Sequence, residues 1–432
     1  MPPRLPAEPG ALSAPAAGAS LESWLAYLEA LHPSEIELGL ERVLIVLRKL
    51  FPRKPSARIV TVAGTNGKGS TVACLESLLL AAGHSVGAYT SPHLSRYNER
   101  VRINGTEVTD TDLVRAFEQV ESVRGRVSLT YFEYGTLAAF LVMAKAEVDT
   151  WILEVGLGGR LDAVNVLDAD LAILTSVDID HTAWLGTDRE SIGFEKAGIL
   201  RPGKPAIYAD LDPPQSVLQQ ARAQGVVLQR LGEDYQAVDE GQALVLSMPR
   251  PGRSLRIMPG PLPRQSVAAA VLAAVMLEPT LSDDTIIAAI AGLNVPGRFE
   301  RLREHPDLYV DVGHNPHAAG WLASRLSTLK AGGGRVWAIY GCLADKDSVG
   351  VVSALMNAVD EWTLCGLAVP RGLSVTDLEE RLRQIWPSRQ PAACETVTVA
   401  IEQVVSRASK EDHIIVFGSF FTVAEARSLL LG

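Results

Sequence analysis

The sequence has few cysteines and no spacing that would pair them. Cys74, Cys342, Cys365 and Cys394 are the four among 432 residues, far apart and without a C-x-x-C arrangement. That excludes a disulfide framework and a cysteine zinc site, and it predicts buried, reduced thiols. An excess of basic charge is also missing: 40 Lys and Arg face 50 Asp and Glu, a net charge of -10. With no basic face and no aromatic-basic interleaving, a nucleic-acid partner is not expected. Long apolar runs are absent; the longest, Val267 to Leu277, is too short to cross a bilayer and reads as a buried helix. Residues 1–20, rich in Pro, Ala and Gly, lack the continuous apolar core of a signal peptide and read as a flexible tail. These absences predict a cytoplasmic protein that meets no membrane and works on small molecules.

What is present is an ordinary globular composition, 47% hydrophobic and 21% charged, in a chain long enough for two or three domains. Leu21 to Leu31 and Leu38 to Leu50 have helical spacing. Strand candidates follow at Arg58 to Val62, Ser85 to Ser91, Thr150 to Val155 and Leu171 to Val177, mostly apolar on both faces as central parallel strands are. The pattern breaks at Asn294-Val295-Pro296-Gly297. Strands then restart at Leu308 to Val312, Val336 to Tyr340, Trp362 to Leu367 and His413 to Phe417, with helices from His317, Lys346, Ser374 and Thr398. The predicted class is α/β: a P-loop ATPase domain with a parallel-rich sheet over residues 21–296, then a smaller Rossmann-like α/β domain over 297–432. The break between them is the candidate hinge. Ala209 to Met258 yields no functional reading.

One loop joins the first strand to a helix predicted from Gly69 to Ala82: Gly64-Thr65-Asn66-Gly67-Lys68-Gly69-Ser70. Glycines let backbone N–H groups curl around phosphate oxygens, the helix start adds partial positive charge, and Lys68 can reach the outer phosphates of ATP or GTP. Gly64 lies three residues before Gly67, not five, and Gly69 stands where Ser or Thr follows the Lys in the usual template. An ordinary glycine turn is the bland alternative, against which stands the order strand, loop, Lys, helix. Since Gly69 offers no side-chain oxygen, metal ligands must come from elsewhere.

The ends of parallel strands converge on a ligand crevice, and here they supply Ser91, Glu154 and the run Asp178 to His181. Glu154 beside an ATP site suits Mg²⁺, which takes one or two carboxylates plus phosphates and water; the alternative is that Glu154 and Asp162 pair with Arg160. His181 is either a ligand or a structural histidine. Lys196 by itself reads as a solvated helical lysine.

Taken in order, the phosphate loop, Thr90-Ser91-Pro92-His93-Leu94, Glu154 through Asp162, Asp178-Ile179-Asp180-His181, Glu195-Lys196-Ala197-Gly198, Pro296-Gly297-Arg298 and Asp311-Val312-Gly313-His314-Asn315-Pro316 resemble the folylpolyglutamate synthase family, part of the wider Mur ligase group. The likeness runs from about Leu21 to the C-terminus. It implies Mur ligase architecture and an ATP-dependent ligase that joins L-glutamate to dihydropteroate and to reduced folates through an acyl phosphate, with Mg²⁺, two ions, as cofactor. A monofunctional folylpolyglutamate synthase, a Mur-type ligase acting on a cell-wall precursor, and a relative that only binds nucleotide are the competing readings. The partners implied are small molecules, with the protein acting as a monomer.

By motif, the resemblance makes Gly64, Thr65, Asn66, Gly67, Lys68, Gly69, Ser70, Arg298 and Asp311 the ATP-binding set. It makes Ser91, Glu154 and His181 the metal ligands, and Lys68, Lys196, His181 and His314 the catalytic residues. Lys196 resembles a lysine that is carbamylated in this group. Ile36-Glu37-Leu38-Gly39-Leu40 and Thr130-Tyr131-Phe132-Glu133-Tyr134-Gly135-Thr136 resemble pterin-side loops, implying Ile36, Leu38, Gly39, Phe132 and Asp162 as pterin contacts. Ser419 lies in a further similar motif, near phosphate or incoming glutamate. The family often has an Asn after Leu262-Pro263 that contacts nucleotide; Arg264-Gln265-Ser266 stands there instead.

Overall fold

The computed structural model describes residues 13–34, 36–248, 252–386 and 391–432. Of the expected tail, residues 1–12 lie outside the described residues, as does Glu35 of the first pterin-side loop. Over 13–20 the chain lies against the fold: Ala14 and Ala19 pack on the core, and Ser20 caps the helix Leu21–Leu31.

The strands, in chain order, are β1 Arg58–Ala63, β2 Val86–Tyr89, β3 Val101–Ile103, β4 Thr106–Glu107, β5 Thr150–Glu154, β6 Leu171–Leu174, β7 Pro205–Tyr208 and β8 Val227–Arg230. They form one sheet in the order β4-β3-β2-β5-β1-β6-β7-β8, parallel from β2 to β8 and antiparallel at β3 and β4. Helices cover both faces, so alternate residues of β1 serve two cores: Ile59 and Ala63 point into one, Val60 and Val62 into the other. This is why the strands read as continuous apolar runs.

β9 Gln236–Glu240, β10 Ala243–Met248 and β11 Arg253–Ile257 make a three-stranded antiparallel sheet from the region that gave no reading. Its apolar face, Leu244, Leu246, Leu255 and Ile257, closes on the buried helix Arg264–Leu277. β12 Glu300–Arg303, β13 Asp307–Asp311, β14 Val336–Tyr340, β15 Glu361–Cys365, β16 Ala392–Cys394 and β17 His413–Phe417 form the last sheet, ordered β12-β13-β17-β14-β15-β16 and parallel except at β12. The α/β class and its two parallel-rich units match the expectation. All four cysteines are buried and free. No helix among the described residues is long and apolar enough to cross a membrane.

Two boundaries differ from the sequence reading for local reasons. The second helix spans Glu41–Leu50, three residues later than the apolar spacing suggested, because Leu40 is its N-cap. Thr130 to Thr136 is not a loop but the start of the helix Tyr131–Lys145. Thr130 caps it, accepting from the Glu133 N–H while the Glu133 carboxylate takes the Thr130 N–H.

Candidate active site

Parallel strands place their C-terminal ends on one edge. Val62 pairs with Glu154 and Ala63 with Leu174, so the residues that follow β1, β5 and β6 emerge side by side. Between β1 and the helix Lys68–Ala81 the backbone needs glycine at two points. Gly64 has φ +149, and a Cβ there would lie 1.8 Å from Thr175 Oγ1; Gly67, at φ +82, would meet Ser266 Oγ at 2.5 Å. The turn is therefore tight, with Thr65 and Asn66 donating their N–H groups to Ser176.

A cleft of about 730 Å³, counting the solvent at its mouth, lies over this turn. Gly64 through Gly69 form its floor, and Ser91, Glu154, His181 and Lys196 reach it from other strand ends. Arg298, His314 and Phe420 come from the chain after Gly297. A second cleft of about 850 Å³ shares Asn66, Gly67, Arg298 and His314 and continues to Ser70, Asp210, Gln265, Ser266, Asp311 and Trp321. A nucleotide can lie across both, with phosphates over the turn and base and sugar in the second.

Lys68 Nζ folds onto the carbonyls of Gly64 and Thr65, 3.0 and 3.2 Å away. Desolvation lowers its pKa from the usual amine value, with Arg298 adding to the effect and Glu154 opposing it. Lys196, on the last turn of the helix Arg189–Ala197, is only 4% exposed and donates to the same Gly64 carbonyl at 2.9 Å. Burial, then the Lys68 charge, pulls it down to about 7. It is not the solvated lysine its local sequence suggests. Arg160, the expected partner for the acids, pairs instead with Glu195 at 2.8 Å, leaving Glu154 to the cleft and Asp162 to its own turn.

Glu154 is buried, which raises its pKa against the pull of Lys68 and Arg298, and it accepts the Ser91 N–H at 3.2 Å. His181 stands open to the cleft. Desolvation by the cleft walls, with the Lys346 and Lys68 charges and against Asp180, pulls its imidazole down to about 4, so it is a neutral nitrogen donor at pH 7. No group of three His, Cys, Asp or Glu side chains forms a metal cage among the described residues. Ser91 hydroxyl, Glu154 carboxylate and His181 nitrogen nonetheless offer a donor set that fits an ion completing its shell with phosphates and water.

Asp311 ends β13 with both carboxylate oxygens bound to backbone, the Phe299 N–H at 2.9 Å and the Gly313 N–H at 2.7 Å. Burial raises its pKa, with Arg298 opposing. Arg298 sits over the Phe420 ring, 5.6 Å from its centroid. Ser419 is buried and caps the helix Phe420–Leu431, accepting the Thr422 N–H at 3.0 Å, so its hydroxyl is engaged. Ser266 Oγ donates to the Gly67 carbonyl at 3.2 Å, which ties the helix after Leu262-Pro263 to the phosphate turn.

The pterin-side residues are not brought to these two clefts directly. Phe132 lies behind the wall: a Cβ on Gly156, a cleft residue, would come within 2.6 Å of its ring. Asp162 is buried and accepts the Leu157 and Val164 N–H groups at 2.8 and 3.0 Å; burial raises it to about 6 despite these bonds. Ile36, Leu38 and Gly39 are half-buried.

Several residues of the region were missed from the sequence. Arg42 forks between the Glu133 carboxylate, 3.0 Å from Oε1, and Glu37, whose carbonyl it reaches at 3.0 Å and whose carboxylate it also pairs with. It thereby ties the Ile36 loop to the helix carrying Phe132. Buried Arg100 donates to His93 Nδ1 at 2.9 Å between the Tyr97 and Tyr131 rings, with no carboxylate paired to it among the described residues. Asp180 gathers Lys346, Asn315 and His314 from the chain after Gly297. Burial raises its carboxyl, but the His314 hydrogen bond and the Lys346 charge outweigh this and hold it well below the usual range.

Comparison with known proteins places these features in a lineage. The Mur ligase middle domain matches residues 62–258, and the Mur ligase, glutamate ligase domain matches 297–420. The dihydrofolate synthase/folylpolyglutamate synthase of Escherichia coli (strain K12) is 45% identical over 419 residues, covering 96% of this chain and 97% of that protein. The structure of E. coli FolC in complex with DHPP and ADP superposes with a TM-score of 0.90 at 44% identity, covering 96% of this chain and 98% of that one. A bifunctional folylpolyglutamate synthase/dihydrofolate synthase with Mn, AMPPNP and L-glutamate bound gives 0.89 at 44% identity, over 97% of this chain and 100% of that one.

Proposed function

Since the chain belongs to the dihydrofolate synthase/folylpolyglutamate synthase family of Mur ligases, we propose that it adds L-glutamate to dihydropteroate, forming dihydrofolate, and to reduced folates, forming polyglutamates. It is an ATP-dependent, amide-forming ligase that uses a divalent metal ion. The observation that carries the reading is the meeting of Lys68, Glu154, His181, Lys196 and Arg298 in one cleft.

A carboxylate resists an amine because its leaving group is poor. Transfer of the ATP γ-phosphoryl group to the acceptor carboxylate gives an acyl phosphate; the glutamate amine attacks its carbonyl carbon, and phosphate leaves with the former carboxylate oxygen. In our reading the backbone N–H groups of Gly64 to Ser70 and the Lys68 ammonium hold the phosphates, and Arg298 neutralises charge on the transferred group. His314 is assigned to the same phosphate end, and Asp311 to the ribose. Ser91, Glu154 and His181 would hold Mg²⁺, which when bound supplies Lewis-acid neutralisation of phosphate charge.

A Lys196 amine with a pKa of about 7 is substantially neutral at pH 7. It can therefore add to carbon dioxide, forming a carbamate and releasing a proton, which turns a buried cation into a carboxylate-like ligand for a second ion. On the acceptor side, Phe132 would stack on the pterin ring, with Asp162 receiving its N–H groups and Ile36, Leu38 and Gly39 bounding the slot. The same reading makes the protein a cytoplasmic monomer whose partners are small molecules, with no nucleic acid and no membrane.

The test is incubation with MgATP, L-glutamate and either dihydropteroate or a reduced folate, following ADP release and product mass. Addition to both acceptors is expected. Addition to reduced folate alone would reduce the activity to polyglutamylation, and ATP binding with no product from either acceptor would overturn the reading.

A further inference from the structure

We propose that Asp180 is a positioning residue that couples docking of the C-terminal unit to assembly of the cleft, with Lys346 as its counter-charge. The proposal rests on the nucleotide reading of the cleft but not on which acceptor is used. Asp180 lies in the loop after β6, and its side chain is 12% exposed. Its Oδ1 accepts the N–H of His181 at 2.8 Å, so the carboxylate shapes the backbone that presents the imidazole, which has the left-handed φ of +53. The same oxygen receives Lys346 Nζ at 2.8 Å. Oδ2 accepts Asn315 Nδ2 at 3.1 Å and lies 3.5 Å from His314 Nε2.

One carboxylate of the nucleotide-binding unit thus holds three side chains of the other unit. A second tie runs beside it. Asn66 of the phosphate turn and Asn315 exchange amide hydrogen bonds in both directions at 3.0 Å, and Asn66 Nδ2 is 2.8 Å from His317 Nδ1. The Lys346 side chain is only 8% exposed. With the units apart both charges return to water; docked, each is the other's nearest opposite charge, and removing one leaves its partner with weaker neighbours, Asp345 at 3.9 Å for Lys346 and His314 at 3.5 Å for Asp180. Docking then fixes Asp180, Asp180 fixes the His181 backbone, and the phosphate turn is fixed through Asn66.

The experiment compares the full chain with Asp180→Asn, Lys346→Met and the double variant. Steady-state kinetics are measured, together with the small-angle scattering radius of gyration with Mg-AMPPNP. Each single variant is expected to lower kcat by about 100-fold with less than about threefold change in the Kd for Mg-AMPPNP or the KM for glutamate, and to scatter as a more extended particle with nucleotide bound. The double variant, with no stranded charge, is expected to regain about tenfold over the singles and part of the compaction. Should Lys346→Met instead raise the glutamate KM tenfold or more with unchanged scattering and additive kinetics, Lys346 contacts the amino acid and the coupling is refuted. If Asp180→Asn fails to fold, Asn315→Ala carries the test, with a loss of about tenfold in kcat and the same extended scattering expected; wild-type values in both refute the proposal. Failure of the wild-type chain to ligate glutamate would sink the proposed function and still leave nucleotide-dependent compaction to decide this proposal.

Discussion

On the nucleotide side of the cleft, most of the groups that would meet phosphate come from one unbroken stretch, Gly64 to Ser70, largely as backbone N–H groups aimed by two conformationally special glycines, with Arg298 and His314 added from the C-terminal unit. On the acceptor side, the side chains assigned to the pterin come from three separate places, the Ile36 loop and the helix start at Phe132, joined through Arg42 and Glu133, and the turn at Asp162, held by its own N–H groups. The first wall is fixed by chain conformation and the second by side-chain pairing. The first should therefore fail abruptly when a single charge or Cβ changes, and the second should loosen by degrees.

The largest break expected is at Lys68. Lys68→Ala removes the cation assigned in our reading to the phosphates, and kcat should fall by about a thousandfold in the ADP-release assay while the acceptor KM stays within a few-fold. Next is Lys196→Ala, whose activity should drop by about a hundredfold or more and recover in part with added acetate or formate, since a small carboxylate can stand in for a carbamate. Recovery with sodium chloride alone would contradict that role.

The acceptor wall should respond more gently. Arg42→Ala releases the Ile36 loop from the Phe132 helix and should raise the KM for both dihydropteroate and reduced folate by about tenfold, near 1.4 kcal/mol, with the ATP KM unchanged. A fall in kcat with no change in acceptor KM would remove Arg42 from that wall.

The smallest effect is on stability. The Lys196 amine sits at about 7 in the fold against 10.5 when unperturbed, so between those values the unfolded chain holds a proton that the folded chain lacks. Folding stability rises with pH across that window, and the penalty is fully present at and below pH 7. In metal-free, bicarbonate-free buffer, Lys196→Met should raise the melting temperature at pH 6.5 by about 2–4 °C, with the gain fading towards pH 10. A gain independent of pH would mean that the amine is protonated in the fold.

The same contrast explains what could be read in advance. The phosphate turn was legible because strand, turn and helix are contiguous, and the strand-end placement of Ser91, Glu154 and His181 followed from parallel topology alone. Lys196 was not legible from its own neighbours, because its burial comes from the helix Arg189–Ala197 carrying it beneath Gly64, 132 residues earlier in the chain. Lys346, read as a helix start and flanked by Asp345 and Asp347, carries no local sign of burial, and only docking of the two units gives it Asp180. The helix start at Thr130 is legible in the capping-box spacing of Thr130 and Glu133, whereas the resemblance to pterin-side loops pointed to a loop. The sheet of β9 to β11 was obscured because β9 and β11 are mostly polar and its buried face is completed by a helix that follows later in the chain.

The central claim is that this cleft activates a carboxylate by phosphorylation before glutamate attacks. Dihydropteroate labelled with ¹⁸O in its carboxylate, turned over with MgATP and L-glutamate and analysed by mass spectrometry, tests it directly. One labelled oxygen should appear in each molecule of inorganic phosphate, with the other retained in the new amide. Amide formation with unlabelled phosphate would contradict the account.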